Sequence, residues 1–377
     1  MKEVYIASDN IITSLGFNTV GNIENMLSGT TGIRYWEDGR LSPEPFWASL
    51  VDTEELTGRF SAFNNPEKFT RFEQLAICSI EDALSATDID IAGDRTLFIL
   101  ATTKGNISLL GDGQSTFFKQ EQVYLWHTAR LLQQYFNFSQ KPYVVSNACI
   151  SGVLAIAVGA RMIRSGYYDH VVVTGVDMVT EFVLSGFNSF RSLESGPCKP
   201  FDRDRQGLSL GEGAGTIILT GSPLSAGGIR TGYGFSSNDA NHISGPSRTG
   251  EGLYIAIRNT LEKNGLLVDY ISAHGTATPY NDEMESVAIT RAGLQEVPVN
   301  SFKGFWGHTL GAAGVVESVA ATYSLAKNLL IKTQGFETPG ITNPIHVIGA
   351  NVEKEMKTCL KIASGFGGCN AALLFYK

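Results

Sequence analysis

The 377-residue sequence has few cysteines, no excess of positive charge and no long apolar run, and each absence excludes a class of protein. Its five cysteines have neither the spacing of metal ligands nor the density of a disulfide scaffold, which favours free thiols in a reducing compartment. The formal net charge of −8 argues against general nucleic-acid binding. No apolar run approaches the ~18 residues of a membrane span, and the N-terminus lacks the regions of a signal peptide. We therefore expect a cytoplasmic protein with no membrane segment, no nucleic-acid partner and no metal site.

Glycine and hydrophobic residues are abundant instead. The 41 glycines, with 43% hydrophobic and 18% charged residues, are typical of a globular protein with many tight turns and close backbone contacts. Because single hydrophobic cores usually stop growing near ~250–300 residues, the chain should form two domains or one doubled domain.

Short apolar strands alternate with helical stretches, which predicts α/β layers with helices packed on largely parallel sheets. The predicted strands are 4–8, 96–101, 143–146, 170–175, 215–219, 270–273, 297–301 and 360–363. The predicted helices are 71–85, 124–136, 149–165, 250–264, 282–292 and 311–328. The third and the last of these helices are so rich in Ala, Gly and Val that they should be buried on all sides. Segments 202–215 and 236–249 are predicted to be loops.

Two pairs of segments share a layout, which indicates a weak internal duplication. One pair consists of a strand, a small turn and an Ala/Gly-rich helix, with Cys149 in the first turn and Ser301 to His308 in the second. The other pair, 97–105 and 270–278, runs from a strand into a Thr/Gly turn. A Ser/Pro/Gly stretch at 222–228 follows a strand and marks the boundary, which gives predicted halves of 1–222 and 223–377.

Cys149 lies where an apolar strand meets a helical stretch. Unpaired backbone N–H groups and the dipole at a helix start lower the pKa of a thiol, which makes Cys149 a plausible nucleophile. The alternative is a buried cysteine that acts as a small hydrophobe. His274 follows a strand and His308 opens a helix, and strand ends are where α/β folds gather functional groups. A lone histidine there is more often structural, but two of them with a strand-end cysteine indicate a catalytic set.

The joint pattern resembles the β-ketoacyl-acyl-carrier-protein synthases, the elongating condensing enzymes of fatty-acid and polyketide synthesis. The matching motifs are Ser14-Leu15-Gly16, Gly32-Ile33-Arg34, Asn147-Ala148-Cys149, Pro200-Phe201-Asp202, Arg205-Gln206-Gly207, Gly211-Glu212-Gly213-Ala214-Gly215, residues 274–282, Lys303, Gly307-His308 and Gly365-Phe366-Gly367-Gly368. The match therefore runs nearly from end to end. It implies an α/β, thiolase-like αβαβα layered fold built from two similar halves, usually a homodimer, with one active site per subunit between the halves.

The resemblance implies a role for each matching side chain in a 3-oxoacyl-carrier synthase. Cys149 would accept the acyl group, and His274 and His308 would promote decarboxylation of the malonyl extender. Lys303 and Glu285 would be the charged groups that organise the two histidines.

The resemblance also implies contacts to the substrate. The backbone N–H groups of Cys149 and Phe366 would form an oxyanion hole, and Phe366 would gate entry of the acyl chain. Thr276 and Thr278 would hydrogen-bond the phosphopantetheine arm, for which the alternative is ordinary turn hydroxyls. That arm arrives on the acyl carrier protein, so no cofactor of the enzyme's own is expected.

Five further residues are expected to lie at the surface or to make structural contacts. Lys68 and Arg71 lie where the family presents basic residues to the acidic carrier protein, although a solvated surface is the default for both. Asp202, Arg205 and Glu212 are expected to hold a loop and the subunit interface instead of touching substrate.

The chain departs from the family near the nucleophile and the gate. Ile150 follows Cys149 where a smaller residue is common, Ala363 and Ser364 replace a Ser-Phe pair, and Cys369 replaces threonine. These changes and the short chain suggest a specialised pathway, such as polyene synthesis. One rival hypothesis is a noncatalytic partner that sets chain length in a heterodimer, although such partners usually lack the nucleophile. Another is a thiolase or a cysteine hydrolase, in which Cys369 would be a second active-site cysteine.

Overall fold

The computed structural model describes residues 2–111, 118–224 and 228–377. The strands are β1 Tyr5–Ile12, β2 Arg34–Trp36, β3 Phe46–Ser49, β4 Thr96–Ala101, β5 Tyr143–Val145, β6 His170–Asp177, β7 Leu210–Gly211, β8 Gly213–Thr220, β9 Arg230–Asn238, β10 Tyr270–Ser272, β11 Val299–Asn300, β12 Leu329–Leu330, β13 Val352–Glu353, β14 Thr358–Gly365 and β15 Cys369–Tyr376. The helices are α1 Thr19–Leu27, α2 Thr53–Phe60, α3 Arg71–Ser85, α4 Leu125–Tyr135, α5 Ser151–Arg164, α6 Glu181–Ser189, α7 Glu251–Asn264, α8 Pro279–Arg291, α9 Lys303–Trp306 and α10 Ala313–Lys327. None of the helices in these ranges combines the length and the apolar character that crossing a membrane requires.

The main sheet consists of two runs of five strands with the same topology. Its order is β11-β10-β14-β15-β9-β1-β8-β6-β4-β5, and β1 meets β9 at the centre through the pair Tyr5 and Arg230. Outward from the centre, each run has two antiparallel pairs followed by two parallel pairs. The shared topology confirms the fold of two similar halves that the sequence predicts.

The expectation of largely parallel sheets is wrong for the middle of the molecule. Five adjacent pairs across the centre, from β14·β15 to β8·β6, are antiparallel, and only the outer strands are parallel. The glycine- and serine-containing β9 and the strand β15 were not predicted, and these two strands supply much of the antiparallel pairing.

Helices form three layers around the two strand runs. α3 packs on β1, β6 and β8 and contacts α4, whereas α7 packs on β9, β14 and β15 and contacts α8. α5 and α10 contact strands of both runs and each other, so they form the middle layer of an αβαβα arrangement. Helix α10 is buried along most of its length, as its composition predicts. The expectation of burial on all sides is wrong for α5, where Arg161 in the last turn is exposed and several positions are half-buried.

The middle helices cross where their backbones touch. A Cβ on Gly152 would lie 2.5 Å from the backbone nitrogen of Val315, and one on Gly314 would lie 2.2 Å from that of Val153. Both positions therefore require glycine. The contact joins the first turn of α5 to the first turn of α10, and it draws together the segments that precede the two helices.

The sequence predicts eight of the ten strands of the main sheet and six of the described helices, and it does not predict α1, α2, α6 and α9. The eight predicted strands correspond to β1, β4, β5, β6, β8, β10, β11 and β14, and the predicted helix 71–85 coincides with α3. This helix begins at a capping box in which Thr70 and Glu73 bond each other's backbone N–H groups. The predicted loop 202–215 is wrong at its end, where β7 and the start of β8 lie, and the loop 236–249 is wrong at its start, where β9 extends. The predicted boundary after residue 222 falls between β8 and β9 and stays a prediction.

Candidate active site

Three side chains from distant parts of the chain converge on one place. The sulfur of Cys149, a ring nitrogen of His274 and a ring nitrogen of His308 all lie within 4.8 Å of one another, and all three residues are buried. Cys149 follows β5, His274 follows β10, and His308 lies between α9 and α10. The site therefore draws its thiol from the N-terminal strand run and its imidazoles from the C-terminal run.

A tight turn holds Cys149 in place. Ala148 has a left-handed backbone with φ of 45°, a conformation that non-glycine residues rarely adopt outside constrained sites. The Ser151 hydroxyl accepts from the Asn147 N–H at 2.8 Å and donates to the Ala148 carbonyl at 2.6 Å. These bonds fix the turn, so the backbone that carries Cys149 is held in place.

The acidity of Cys149 differs from the sequence-based expectation. Burial raises the pKa of the thiol to about 12, and nearby Cys369 adds to the rise, while Lys303 and the Phe366 N–H oppose it. The expectation of a lowered pKa at a helix start is therefore wrong for the free protein. The helix proper begins two residues later, at Ser151, and desolvation outweighs its dipole. The resting site holds a neutral thiol.

Both histidines are held as neutral hydrogen-bond donors. Their rings are 5.0 Å apart between centroids and nearly perpendicular, at 84°. His308 Nδ1 accepts from the Leu310 N–H at 3.2 Å, and His274 Nδ1 lies 3.2 Å from the Lys303 ammonium, which can only donate. The ring proton of each neutral histidine is therefore on Nε2. Burial, followed by the charge of Lys303, lowers the pKa of both rings well below the usual value.

A buried charge cluster lies behind His274. Lys303 Nζ donates to the His274 carbonyl at 2.6 Å and contacts Glu317 Oε1 at 2.5 Å. Lys361 Nζ contacts the other carboxylate oxygen, Glu317 Oε2, at 2.6 Å and donates to the Ala273 carbonyl at 3.0 Å. The side chains of Lys303 and Lys361 have no exposed surface, and that of Glu317 is 1% exposed.

Glu285 organises His274 through the backbone. Its two oxygens accept from the backbone N–H groups of His274 and Gly275 at 2.7 and 2.6 Å, and Asn281 donates to it at 2.7 Å. Burial, reinforced by Asp282, raises the pKa of Glu285 to about 7. Glu285 and Lys303 were both expected to organise the histidines. Both contact His274, Glu285 through the backbone N–H and Lys303 at Nδ1, while the acid that pairs with Lys303 is Glu317.

The residues expected at the entrance surround the same site. The backbone N–H of Phe366 opposes the rise in the pKa of the Cys149 thiol, and the Phe366 ring stacks on Phe187 at 5.5 Å and meets the edge of Phe190 at 5.3 Å. The hydroxyls of Thr276 and Thr278 hydrogen-bond each other at 2.8 Å on the loop after His274. Their substrate contacts stay predictions.

The residues expected to be peripheral make structural contacts. The Arg71 guanidinium pairs with Glu212 and donates to the Val51 carbonyl, so it is not a free surface charge, whereas Lys68 is exposed. Glu212 also accepts from the Val51 N–H at 2.9 Å.

Asp202 accepts from three backbone N–H groups, and Arg205 donates to the Asp202 and Gly340 carbonyls. Asp202, Arg205 and Glu212 hold loops, as expected; their part in a subunit interface stays a prediction.

Sequence reasoning missed Glu317 and Lys361. Each is a lone charge among apolar and small residues, Glu317 in the Ala/Gly/Val-rich helix α10, whose other charge is the terminal Lys327, and Lys361 in the strand β14. Charged residues are almost never fully buried unless they are paired. That isolation was the available signal that each has a buried partner of opposite charge.

The chain matches family models along most of its length. Residues 1–223 match the model described as "Beta-ketoacyl synthase, N-terminal domain", and residues 228–337 match "Beta-ketoacyl synthase, C-terminal domain". The fold and the Cys-His-His site define a condensing enzyme of the thiolase-like class. The chain belongs to the β-ketoacyl synthase family.

Individual relatives cover the whole chain at modest identity. The 3-oxoacyl-[acyl-carrier-protein] synthase 2 of Synechocystis is 29% identical, with 100% of this chain and 98% of the relative aligned. A ketosynthase structure from Xenorhabdus doucetiae, solved in complex with its chain length factor, is 27% identical with a TM-score of 0.88, covering 100% of this chain and 98% of that one. The ishigamide ketosynthase/chain length factor structure is 25% identical with a TM-score of 0.88 and covers 100% and 99%.

Proposed function

We propose that this protein is a 3-oxoacyl-acyl-carrier-protein synthase that condenses an acyl group on Cys149 with malonyl carrier and releases carbon dioxide. The convergence of Cys149, His274 and His308 within 4.8 Å is the observation that supports the proposal most directly. Family membership and the named relatives support the same reaction class.

The first step transfers the acyl group from the carrier to Cys149. The new carbon–sulfur bond forms to Cys149 as the bond to the phosphopantetheine sulfur breaks, and the thiol proton ends on the departing carrier thiol. Because one thioester replaces another, the exchange is nearly neutral in free energy. The Ala148 turn fixes the attacking sulfur before the substrate arrives.

The second step breaks the carbon–carbon bond of malonyl carrier. Carbon dioxide leaves, and the electron pair of the broken bond passes into an enolate whose charge lies on the thioester oxygen. The Nε2–H groups of His274 and His308 stabilise that charge by donating hydrogen bonds. Their lowered pKa values keep both rings neutral, so each ring has its proton on Nε2 and can donate it to the enolate oxygen as the charge forms.

The third step joins the two substrates. The enolate carbon attacks the acyl carbon on Cys149, and the backbone N–H groups of Cys149 and Phe366 hold the tetrahedral oxygen. The carbon–sulfur bond then breaks, and the sulfur of Cys149 takes up one proton. The thiol's pKa of about 12 favours this uptake, which restores the resting site. The product is a 3-oxoacyl carrier two carbons longer than the acyl donor.

The proposal includes an acyl carrier protein as partner and a dimer as the working assembly. Thr276, Thr278 and exposed Lys68 are the candidate contacts to the carrier and its arm. We take a homodimer as the working assembly, with a heterodimer as the alternative. The two ketosynthase structures with a chain length factor favour that alternative and a polyketide or polyene pathway. A cytoplasmic location is also part of the proposal and rests on the five free cysteines.

One incubation tests the reaction directly. The purified protein is mixed with acyl carriers of different chain length and unsaturation, then with malonyl carrier, and intact mass is read for protein and carriers. We expect acyl mass on Cys149 and a 3-oxoacyl carrier as product. Cys149→Ala should take no label, whereas the matched control Cys369→Ala should keep it. Absence of label and product with every carrier contradicts the function, and a preference for ordinary saturated chains contradicts the specialised pathway.

A further inference from the structure

Lys361 is a buried cation that the reaction described above does not use. It lies on β14 between apolar residues, and its side chain has no exposed surface. Its Nζ donates to the Ala273 carbonyl at 3.0 Å and to the Ser272 carbonyl at 3.4 Å. These carbonyls belong to the two residues that precede His274. Such burial of an ammonium group is unfavourable unless a specific partner offsets it.

Glu317 is that partner, and it is shared. Each of its two carboxylate oxygens contacts one lysine, Lys303 at 2.5 Å and Lys361 at 2.6 Å. One carboxylate therefore balances two ammonium groups, which leaves the cluster with an excess positive charge. Without Lys361, the pair of Lys303 and Glu317 would be formally neutral.

We propose that Lys361 is a positioning residue for decarboxylation, which holds Glu317 against Lys303 and supplies the excess positive charge behind His274 and His308. This inference rests on the proposed function. Its physical basis is that a fixed cation in a buried site stabilises an enolate oxygen as the negative charge forms. Acyl transfer creates no lasting anion at the imidazoles, so it should depend much less on Lys361.

The cation also acts on the protonation of the imidazoles. The charges of Lys303 and Lys361 both lower the pKa values of His274 and His308, in addition to burial. Burial lowers the pKa of Lys361 itself, while contact with Glu317 opposes that fall. Removal of Lys361 should therefore let the imidazoles take up a proton at higher pH, which removes the free ring nitrogen that accepts from Lys303 or Leu310.

Other charged and titratable groups lie on the segments around the two histidines and must be held constant in any pH experiment. They are Cys149 before α5, Asp177 on β6, Asp282 and Glu285 on α8, Lys303 on α9 and Glu317 on α10. The substitution of Lys361 leaves each of these groups in the chain, so a shift can be assigned to the lost charge.

The test compares Lys361→Met with the matched control Lys357→Met. Lys357 is exposed just before β14, so its substitution removes one positive charge without touching the cluster. Two half-reactions are followed by mass: acyl transfer to Cys149, and carbon dioxide release from malonyl carrier. For Lys361→Met we expect acyl transfer within about twofold of the wild type, and decarboxylation slower by roughly tenfold to a hundredfold, below the ~10²–10³ of a lost oxyanion donor. The acid limb of its pH profile should move to higher pH.

A second variant separates charge from packing. In the double variant Glu317→Gln with Lys361→Met, Lys303 alone restores one excess positive charge. We expect its acid limb to return toward that of the wild type, and its decarboxylation to exceed that of Lys361→Met. A packing role predicts the reverse, because the double variant removes more buried contacts.

Each outcome decides the inference. Equal decarboxylation and an unchanged acid limb in Lys361→Met overturn it, as does a parallel loss of both half-reactions with no charge rescue in the double variant. If the wild type releases no carbon dioxide from malonyl carrier, the proposed function fails instead. A histidine NMR titration then still tests Lys361, because imidazole pKa values in folded Lys361→Met that equal those of the wild type overturn its electrostatic role.

Discussion

Three catalytic candidates of different chemistry share one physical setting. Burial raises the pKa of Cys149 to about 12 and lowers the pKa of His274 and His308, so it selects the neutral form of each group. The three groups that meet within 4.8 Å are therefore uncharged before substrate binds. The enolate is the negative charge that forms beside the imidazoles, and both imidazole donors are available to it.

The separate roles of thiol and imidazole predict opposite defects in two variants. Cys149→Ala should abolish acyl labelling, because it removes the sulfur that accepts the acyl group. His308→Ala should keep labelling but slow condensation by roughly 10²–10³, because it removes one of two donors to the enolate oxygen. Intact-mass measurement of each half-reaction distinguishes the two. Normal condensation by His308→Ala would remove that imidazole from the mechanism.

Glu285 should make the folded protein less stable as the pH rises. Its pKa is raised to about 7 in the folded state from an ordinary value of 4.5, so the folded state holds this proton more tightly. Its contribution is fully present below pH 4.5 and is lost as the pH rises through about 7, by up to ~3 kcal/mol.

Denaturant unfolding of the wild type and of Glu285→Gln between pH 4.5 and 8 measures this contribution. The difference in unfolding free energy between the two proteins should change in favour of Glu285→Gln as the pH rises. A difference that stays constant over this range would show that Glu285 titrates normally.

At the scale of elements, the crossing of α5 and α10 sets the geometry of the site. Gly152→Ala or Gly314→Ala should destabilise the protein by ~1–3 kcal/mol or more, because the added methyl group would overlap backbone atoms of the other helix. Thermal unfolding and malonyl decarboxylation should both fall. The control is Gly58→Ala in α2, where a Cβ meets nothing within 4 Å and alanine should be neutral or stabilising. Equal stability of all three variants would contradict the tight crossing.

Elements were predictable where local signals agreed. Helix α3 has a capping box and apolar residues on its buried face, and its limits follow from the sequence. Strand β9 contains two glycines and three polar residues near its end, so it resembles a loop locally and is a strand only because β15 pairs with it. Within the main sheet, β9 and β15 were therefore the two strands that the sequence did not reveal.

At the scale of the molecule, the two ends of the main sheet differ in how they are covered. Val299 of β11 bonds the backbone of the 346–348 segment on its outer side, at 2.8 Å in both directions. The outer edge of β5 pairs with no other strand in the described part of the chain, and Tyr143 on it is 39% exposed. An open edge is the natural place for a second subunit to extend a sheet.

We therefore expect a dimer in solution that a charge on this edge disrupts. Light scattering should give about twice the chain mass of 40.7 kDa for the wild type. Tyr143→Lys should shift the protein toward the monomer, whereas Tyr280→Lys, at an exposed position at the start of α8, should not. A dimer unaffected by Tyr143→Lys would place the interface elsewhere.

Not every residue of the site could be predicted from the sequence, because some contacts join distant parts of the chain. Cys149, His274 and His308 were found because each lies in a short motif whose order is specific. Glu317 and Lys361 were missed because their pairing joins α10 to β14 across 44 positions, and no local pattern announces such a contact. Isolated charges in apolar segments were the only trace of it.

The contact of Gly152 with Gly314 means that a substitution at this position in one half is limited by the backbone of the other half. Since the main chain of one half occupies the space that a methyl group would need in the other, neither half can enlarge this position alone. A chimera that takes one half from a relative should remain active only if the donated half also carries glycine at the crossing. The two halves differ in chemistry, because one carries the sulfur and the other the imidazoles, but each contributes a glycine to their junction.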